Sequence, residues 1–279
     1  MLYGKLAKIG WQDRKSHYWE QINTVCLPKK SKKYDASCII VSNKIQPNTD
    51  ICLAQIKRHK NVEVIFLDNG GKTKYSNGSI LIDKFISTRK DVGAYKSRNI
   101  ASVFADSDKL IFVDDDGVPC NKMISSLLDA HKKYDIVSCM GCCFPLTDNK
   151  WNYGANHYYF GDRPFPYFTN LEGCCCIDRK IFNAVGGWKD DLVYGGGGYE
   201  LCYRMLKVQP DKRKYAYIPS AILYHDYTAN AFTMVDKIKR QMEETKKRIE
   251  EHEDFFYHRD VWAKMVGRED LLIARNEIK

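Results

Sequence analysis

The chain contains no apolar run approaching the roughly 18 residues that a membrane span requires, so no such span is predicted. Its first residues do not read as a secretory leader either, because Lys5 and Lys8 interrupt what should be an apolar stretch. Internal repeats and low-complexity tracts are absent. No G-x-G-x-x-G follows the first strand-like run, which argues against a dinucleotide cofactor. Gly71-Lys72-Thr73 imitates the tail of a phosphate-binding loop, but Phe66 stands where that loop needs glycine. There is no nucleophile elbow to support Ser-His-Asp hydrolysis.

Several things are plentiful instead. The 279 residues are 44% hydrophobic and 13% aromatic, enough for a sizeable core, and the 28% charged fraction excludes general disorder. Eleven cysteines without an export signal point to a reducing compartment, and the expected location is cytoplasmic. Two clusters, Cys139/Cys142/Cys143 and Cys174/Cys175/Cys176, are too crowded for a simple disulfide framework. Cys139-x-x-Cys142 has the inner spacing of a zinc knuckle but lacks a second such pair, so these residues read as small buried thiols. The net charge is +9, and residues 1–60 carry +8 of it, with Lys29, Lys30, Lys32 and Lys33 as the densest cluster. A basic segment of this kind suits a phosphate-rich partner (a nucleic acid, an anionic membrane surface or a charged glycan) or is simply a solvated arm.

Three regions follow from the patterning: a basic N-terminal extension over 1–36, an α/β domain over 37–230 and C-terminal helices over 231–279. Apolar runs at Ser37–Val41, Val62–Leu67, Lys84–Ile86 and Lys109–Val113 alternate with helical periodicity at Thr49–Lys57 and Val92–Ala105. Such alternation predicts βαβ units and a mainly parallel sheet, whose ligands sit at the carboxyl ends of the strands. Asp68 and Asp114-Asp115-Asp116 both fall at such ends. Beyond Met123–His131, read as helix, residues 144–171 are rich in aromatics, proline, asparagine and glycine. They read as an irregular segment (Trp151, Tyr153, Tyr158, Tyr159, Phe160, Phe165, Tyr167, Phe168) able to stack on a sugar or base, or to pack as a lid. The stretch from Phe232 to Phe256 reads as one long helix, with Glu243/Lys247 and Glu244/Arg248 as i,i+4 pairs; it leaves the oligomeric state open.

The acidic triplet is the first chemical signal. Three carboxylates at one strand end repel one another unless a cation sits among them, and hard oxygen ligands favour Mg²⁺ or Mn²⁺ over zinc. In extended chain Asp114 and Asp116 would project together and Asp115 away.

At this point the sequence resembles a known family. Ser37-Cys-Ile-Ile-Val-Ser-Asn-Lys44, Val64-Ile-Phe-Leu-Asp-Asn-Gly70, Asp91-Val-Gly-Ala-Tyr-Lys-Ser-Arg-Asn99 and Leu110-Ile-Phe-Val-Asp-Asp-Asp116 are similar, in order and spacing, to the nucleotide-sugar half (37–118) of a family 2 glycosyltransferase of GT-A fold. Gly186-Gly-Trp188 and Tyr199-Glu-Leu-Cys-Tyr-Arg204 resemble the signature of the acceptor half (119–230). The resemblance implies a Rossmann-like mixed sheet flanked by helices, and a metal-dependent transfer from a nucleotide-sugar, a UDP-sugar for preference. The implied acceptor is a glycan or glycolipid hydroxyl, with a modified base in nucleic acid, or a binding module without catalysis, as alternatives. It further implies that Val41 and Ser42 flank the nucleoside and that Asp68 accepts the uracil imide N–H. Arg98 would lie near the diphosphate, and Asp115 counts with the nucleotide-sugar-binding residues. Asp114 and Asp116 would form a D-x-D pair with Asp116 on the metal, His225 would join the metal shell, and Gly187 and Trp188 would line the acceptor side. One departure stands out. The family commonly places Glu-Asp, whose Asp is the general base, where this chain has Gly197-Gly198. Glu200, Asp190 and Asp191 are then the candidate bases, although Glu200 is also placed to pair with Arg204 on one helix face, and a retaining mechanism stays open.

Overall fold

The computed structural model describes residues 17–28, 33–44, 47–73, 75, 79–145, 161–166, 171–192 and 197–225, with a few helical positions between 239 and 264. The aromatic positions 151, 153, 158–160, 167 and 168, the lysines at 29, 30 and 32, the glycines at 195 and 196 and most of the predicted 232–256 helix lie outside the described residues.

Among the described residues, ten strands form one mixed sheet: β1 (Ile22–Cys26), β2 (Ala36–Ser42), β3 (Val62–Asp68), β4 (Lys84–Thr88), β5 (Lys109–Asp114), β6 (Gly117–Pro119), β7 (Ser138–Pro145), β8 (Phe165–Pro166), β9 (Cys174–Asp178) and β10 (Tyr215–His225). Their order is β1-β4-β3-β2-β5-β9-β7-β10-β6, with β8 also paired to β10. The central block β4-β3-β2-β5 is parallel, as the alternating pattern predicts. β9 then runs antiparallel between β5 and β7. Helices α1 (Thr49–Lys57), α2 (Ala94–Ser102), α3 (Met123–Tyr134), α4 (Arg179–Ala184) and α5 (Gly197–Val208) cover the sheet.

Period-two alternation sorts the core into two layers. Cys38, Ile40, Val64, Phe66, Ile111, Val113, Cys174 and Cys176 face α1 and α3, meeting Leu53, Ile56, Ile124 and Leu127. Ile39, Ile65, Leu67, Leu110, Phe112, Cys175 and Ile177 face the other way, onto α2, α4 and α5 through Ile100, Phe182, Leu201 and Met205. Three consecutive cysteines therefore project to opposite faces as ordinary core residues. Burial pushes the Cys174 and Cys175 thiols well above their usual range. No cysteine joins a possible metal-binding group among the described residues.

The extension predicted over 1–36 needs correction. β1 pairs antiparallel with β4 at the sheet edge, and Tyr18 is buried, its hydroxyl donating to Asp190 Oδ1 at 3.0 Å. Charge and a loose apolar pattern concealed this strand, because an edge strand needs only one packed face. The fold therefore takes in residues well before Ser37.

Candidate active site

Register brings the first part of the site together. Val41 lies opposite both Leu67 and Asp114, and Ser42 opposite Asp68, so β2, β3 and β5 end level with one another at their carboxyl edge. Asp68 is buried there, and its two oxygens accept the Lys72 N–H at 2.9 Å and the Thr73 N–H at 3.2 Å, which fixes the loop after β3. The neighbouring Asn69 is also buried. It accepts from Val92 N–H at 2.9 Å and donates to Asp91 at 2.6 Å, tying this turn to the start of α2.

Arg98 projects from α2 toward β5. Its Nη2 donates to Asp114 Oδ1 at 2.5 Å, and its guanidinium lies 5.5 Å from the Trp188 ring and 5.8 Å from the Tyr95 ring. Burial alone would lower its pKa, but Asp114 and then Glu172 more than offset this, and the net shift is upward. Arg98 is thus a fixed cation.

The acidic triplet divides as predicted, though through a turn and not by strand alternation, since β5 ends at Asp114. His225, the last residue of β10, sets Nε2 at 3.1 Å from Asp116 Oδ1 and 3.6 Å from Asp114 Oδ2. Asp114, Asp116 and His225 offer ligand atoms that all lie within 4.8 Å of one another. Asp115 turns the other way, its Oδ2 2.5 Å from Ser42 Oγ, which is itself 2.6 Å from the Lys44 carbonyl. Burial first, then Asp116 and, more weakly, Asp114 push Asp115 up to about 7, against the Ser42 hydrogen bond, which lowers it. The Ser42 hydroxyl donates to Asp115 Oδ2 and also lies within reach of the Lys44 carbonyl, so it ties the acidic turn to the end of β2. Without a cation, His225 is raised to about 10: burial opposes the charged ring, but hydrogen bonds to Asp114 and Asp116 prevail. Two carboxylates and an imidazole on one side of a buried acidic turn are a chemically fitting donor set for Mn²⁺ or Mg²⁺.

The acceptor-side residues fall differently. Trp188 is fully buried, stacked on Tyr95 and edge-on to Phe112 and Phe182, and its backbone makes two hydrogen bonds with the Asn99 amide. Its expected place on an acceptor pocket is thereby corrected: the ring backs Arg98 from within the core. Gly187 adopts φ +69°, and a Cβ there would strike the Asn99 amide, so this position serves backbone geometry. Glu200 on α5 is buried, with Arg204 Nε at 2.6 Å from one oxygen and Nη2 at 2.7 Å from the other. The same guanidinium reaches the Val185 and Gly187 carbonyls. Asp190 accepts from Tyr18 and from Asn99 Nδ2 at 2.8 Å, and the exposed Asp191 lies 3.7 Å from Lys247.

Two residues without an assigned part in the sequence also belong to this region. Glu172, on the loop before β9, accepts from the Tyr95 hydroxyl at 2.7 Å and from the Gly198 N–H at 2.9 Å. Tyr95 is three residues before Arg98, a spacing that places both on one helix face. Glu172 carries no comparable local signal.

The Glycosyl transferase family 2 model matches residues 37–185, more than half of the chain. The chain belongs to glycosyl transferase family 2. No curated protein matches it. Solved structures share the GT-A fold with this family 2 chain. GalNAc-T7 with UDP, GalNAc and Mn²⁺ superposes with a TM-score of 0.54 at 14% identity, over 71% of this chain and 45% of that one. TarS 1–349 of S. aureus gives 0.55 at 12% identity, covering 87% and 76%. The mannosyltransferase PcManGT of Pyrobaculum calidifontis, with GDP-Man and Mn²⁺, gives 0.55 at 11%, covering 88% and 73%. The family 2 chain therefore spans less than half the length of GalNAc-T7. Among its described residues no helix is long and apolar enough to cross a membrane.

Proposed function

We propose that this family 2 chain is a metal-dependent glycosyltransferase that moves a sugar from a nucleotide-sugar, a UDP-sugar, to a hydroxyl of a glycan or glycolipid. The observation that carries this reading is the convergence of Asp114, Asp116 and His225 beside Arg98, at the level ends of β2, β3 and β5. The structures of GalNAc-T7 with UDP and Mn²⁺ and of PcManGT with GDP-Man and Mn²⁺ support it.

Val41 and Ser42 flank the nucleoside in this reading. Each Asp68 oxygen accepts one backbone N–H and retains a second lone pair, so the carboxylate can also accept the imide N–H of uracil. Asp114, Asp116 and His225 hold the cation, and the imidazole favours Mn²⁺ over Mg²⁺. Such an ion, once bound, neutralises charge on the departing diphosphate. Arg98 supplies a second, permanent positive charge on the same side, while Asp115 holds Ser42 in place.

Thermal shift with Mn²⁺ and a panel of UDP- and GDP-sugars tests the reading. A matched UDP-sugar at a hundred times its Kd should stabilise by about 2.7 kcal/mol, roughly 5–10 °C in a chain of this size. Asp116→Ala should abolish the shift. Silence across the whole panel overturns the proposal, and a response to GDP-sugars alone overturns the part given to Asp68.

A further inference from the structure

The sequence leaves the transfer without a carboxylate at the start of α5, where Gly197 and Gly198 stand. The structure explains why no side chain fits at the first of these: a Cβ on Gly197 would run into the Tyr95 ring. The ring thereby reaches over the helix start and delivers its hydroxyl to Glu172 Oε1, which also takes the Gly198 N–H. A carboxylate does meet the first turn of α5, then, but it arrives from the loop before β9.

That loop touches the rest of the site directly. The next residue, Gly173, has φ +50°, its carbonyl accepts the Asp114 N–H at 3.0 Å, and its Cα faces the Asp114 carboxylate. Glu172 also lies within the charge field of Arg98, which donates to Asp114. Glu172 is half-buried. The other acids near this half are differently engaged: Glu200 on Arg204 in the core, Asp190 on Tyr18 and Asn99, Asp191 at the surface beside Lys247.

We propose that Glu172 is the general base of the transfer, an assignment that rests on the glycosyltransferase reading above. The acceptor oxygen forms a bond to the anomeric carbon as the bond from that carbon to the diphosphate oxygen breaks. The bonding pair leaves with the diphosphate, and the hydroxyl proton passes to the Glu172 carboxylate. Attack from the face opposite the leaving group inverts the anomeric centre. Tyr95 and the Gly198 N–H are positioning groups: together they fix one carboxylate oxygen.

The test uses the full chain with Mn²⁺ and the nucleotide-sugar that most raises its melting temperature, with water as acceptor. Glu172→Gln keeps the size of the side chain and an oxygen for both donors, so folding and the nucleotide-induced thermal shift should persist. Turnover should fall by about a hundredfold or more. Azide, an anion with no proton to surrender, should restore turnover in Glu172→Gln and in Glu172→Ala, giving a glycosyl azide of inverted configuration. Turnover of Glu172→Gln within a few-fold of the wild type overturns the assignment. So does a deep loss that azide fails to relieve in either variant, or a retained anomeric configuration. A wild-type chain with neither thermal shift nor turnover instead overturns the glycosyltransferase reading beneath it.

Discussion

Gly173→Ala is the substitution from which the geometry expects most for its size. One methyl is added at φ +50°, where an L-residue pays about 1–2 kcal/mol in backbone strain. The methyl also points at Asp114 Oδ2, and that carboxylate cannot swing aside freely. Arg98 holds its other oxygen at 2.5 Å, and His225 lies 3.6 Å from Oδ2. Displacing Asp114 therefore gives up a charge-assisted hydrogen bond, about 1.5–3 kcal/mol, or else tilts the carboxylate away from Asp116 and His225. Since 1.4 kcal/mol is a factor of ten, Mn²⁺ affinity should drop by at least about tenfold. The strain should lower the melting temperature by roughly 2–8 °C in the metal-free protein. Titration calorimetry with Mn²⁺, paired with thermal denaturation in chelator, separates the two effects. A Gly173→Ala chain that binds Mn²⁺ as tightly as the wild type would show that Asp114 is not a ligand, or that the loop yields without cost.

Two further outcomes follow from the charges. Asp115, raised to about 7 by burial and by Asp116, contributes stability that is full below its ordinary value near 3.8 and is lost as pH rises through 7. His225, raised to about 10, contributes stability present below 6.5 and lost as pH climbs through 10. Chelated protein should thus melt lower at pH 8 than at pH 5, and Mn²⁺ affinity should rise over the same span because the metal needs a neutral imidazole; equal melting at both values would refute the two shifts. Arg204→Ala should cost about 3–5 kcal/mol in urea denaturation, because it removes the bidentate cation from the buried Glu200. Glu200→Gln should cost clearly less and leave turnover within a few-fold, whereas a hundredfold loss would return Glu200 to the chemistry.

The sheet's parallel block was legible because each strand there is buried on both faces and reads as a short apolar run, Val62–Asp68 being buried throughout. Asp68, Arg98 and the acidic triplet were legible for a related reason: strand ends and the following helix fix where they go. Other parts depend on distant partners. Glu172 owes its position to Tyr95 and to Gly198, 77 and 26 residues away. The family resemblance implies an acceptor-side place for Trp188, yet Asn99 and three aromatic rings take it into the core. β1 was hidden among basic residues because edge pairing leaves little trace in composition.

The alternation that splits Cys174, Cys175 and Cys176 between the two layers gives the molecule a built-in clock. Nine of the eleven thiols are buried, leaving Cys26 and Cys120 partly open. A thiol-modifying reagent reaches the nine only as fast as the chain opens. Cys174 and Cys176 report loosening on the side of α1 and α3, and Cys175 reports it on the side of α2 and α5. Residue-by-residue labelling rates therefore distinguish peeling of one helical layer from collapse of the whole sheet.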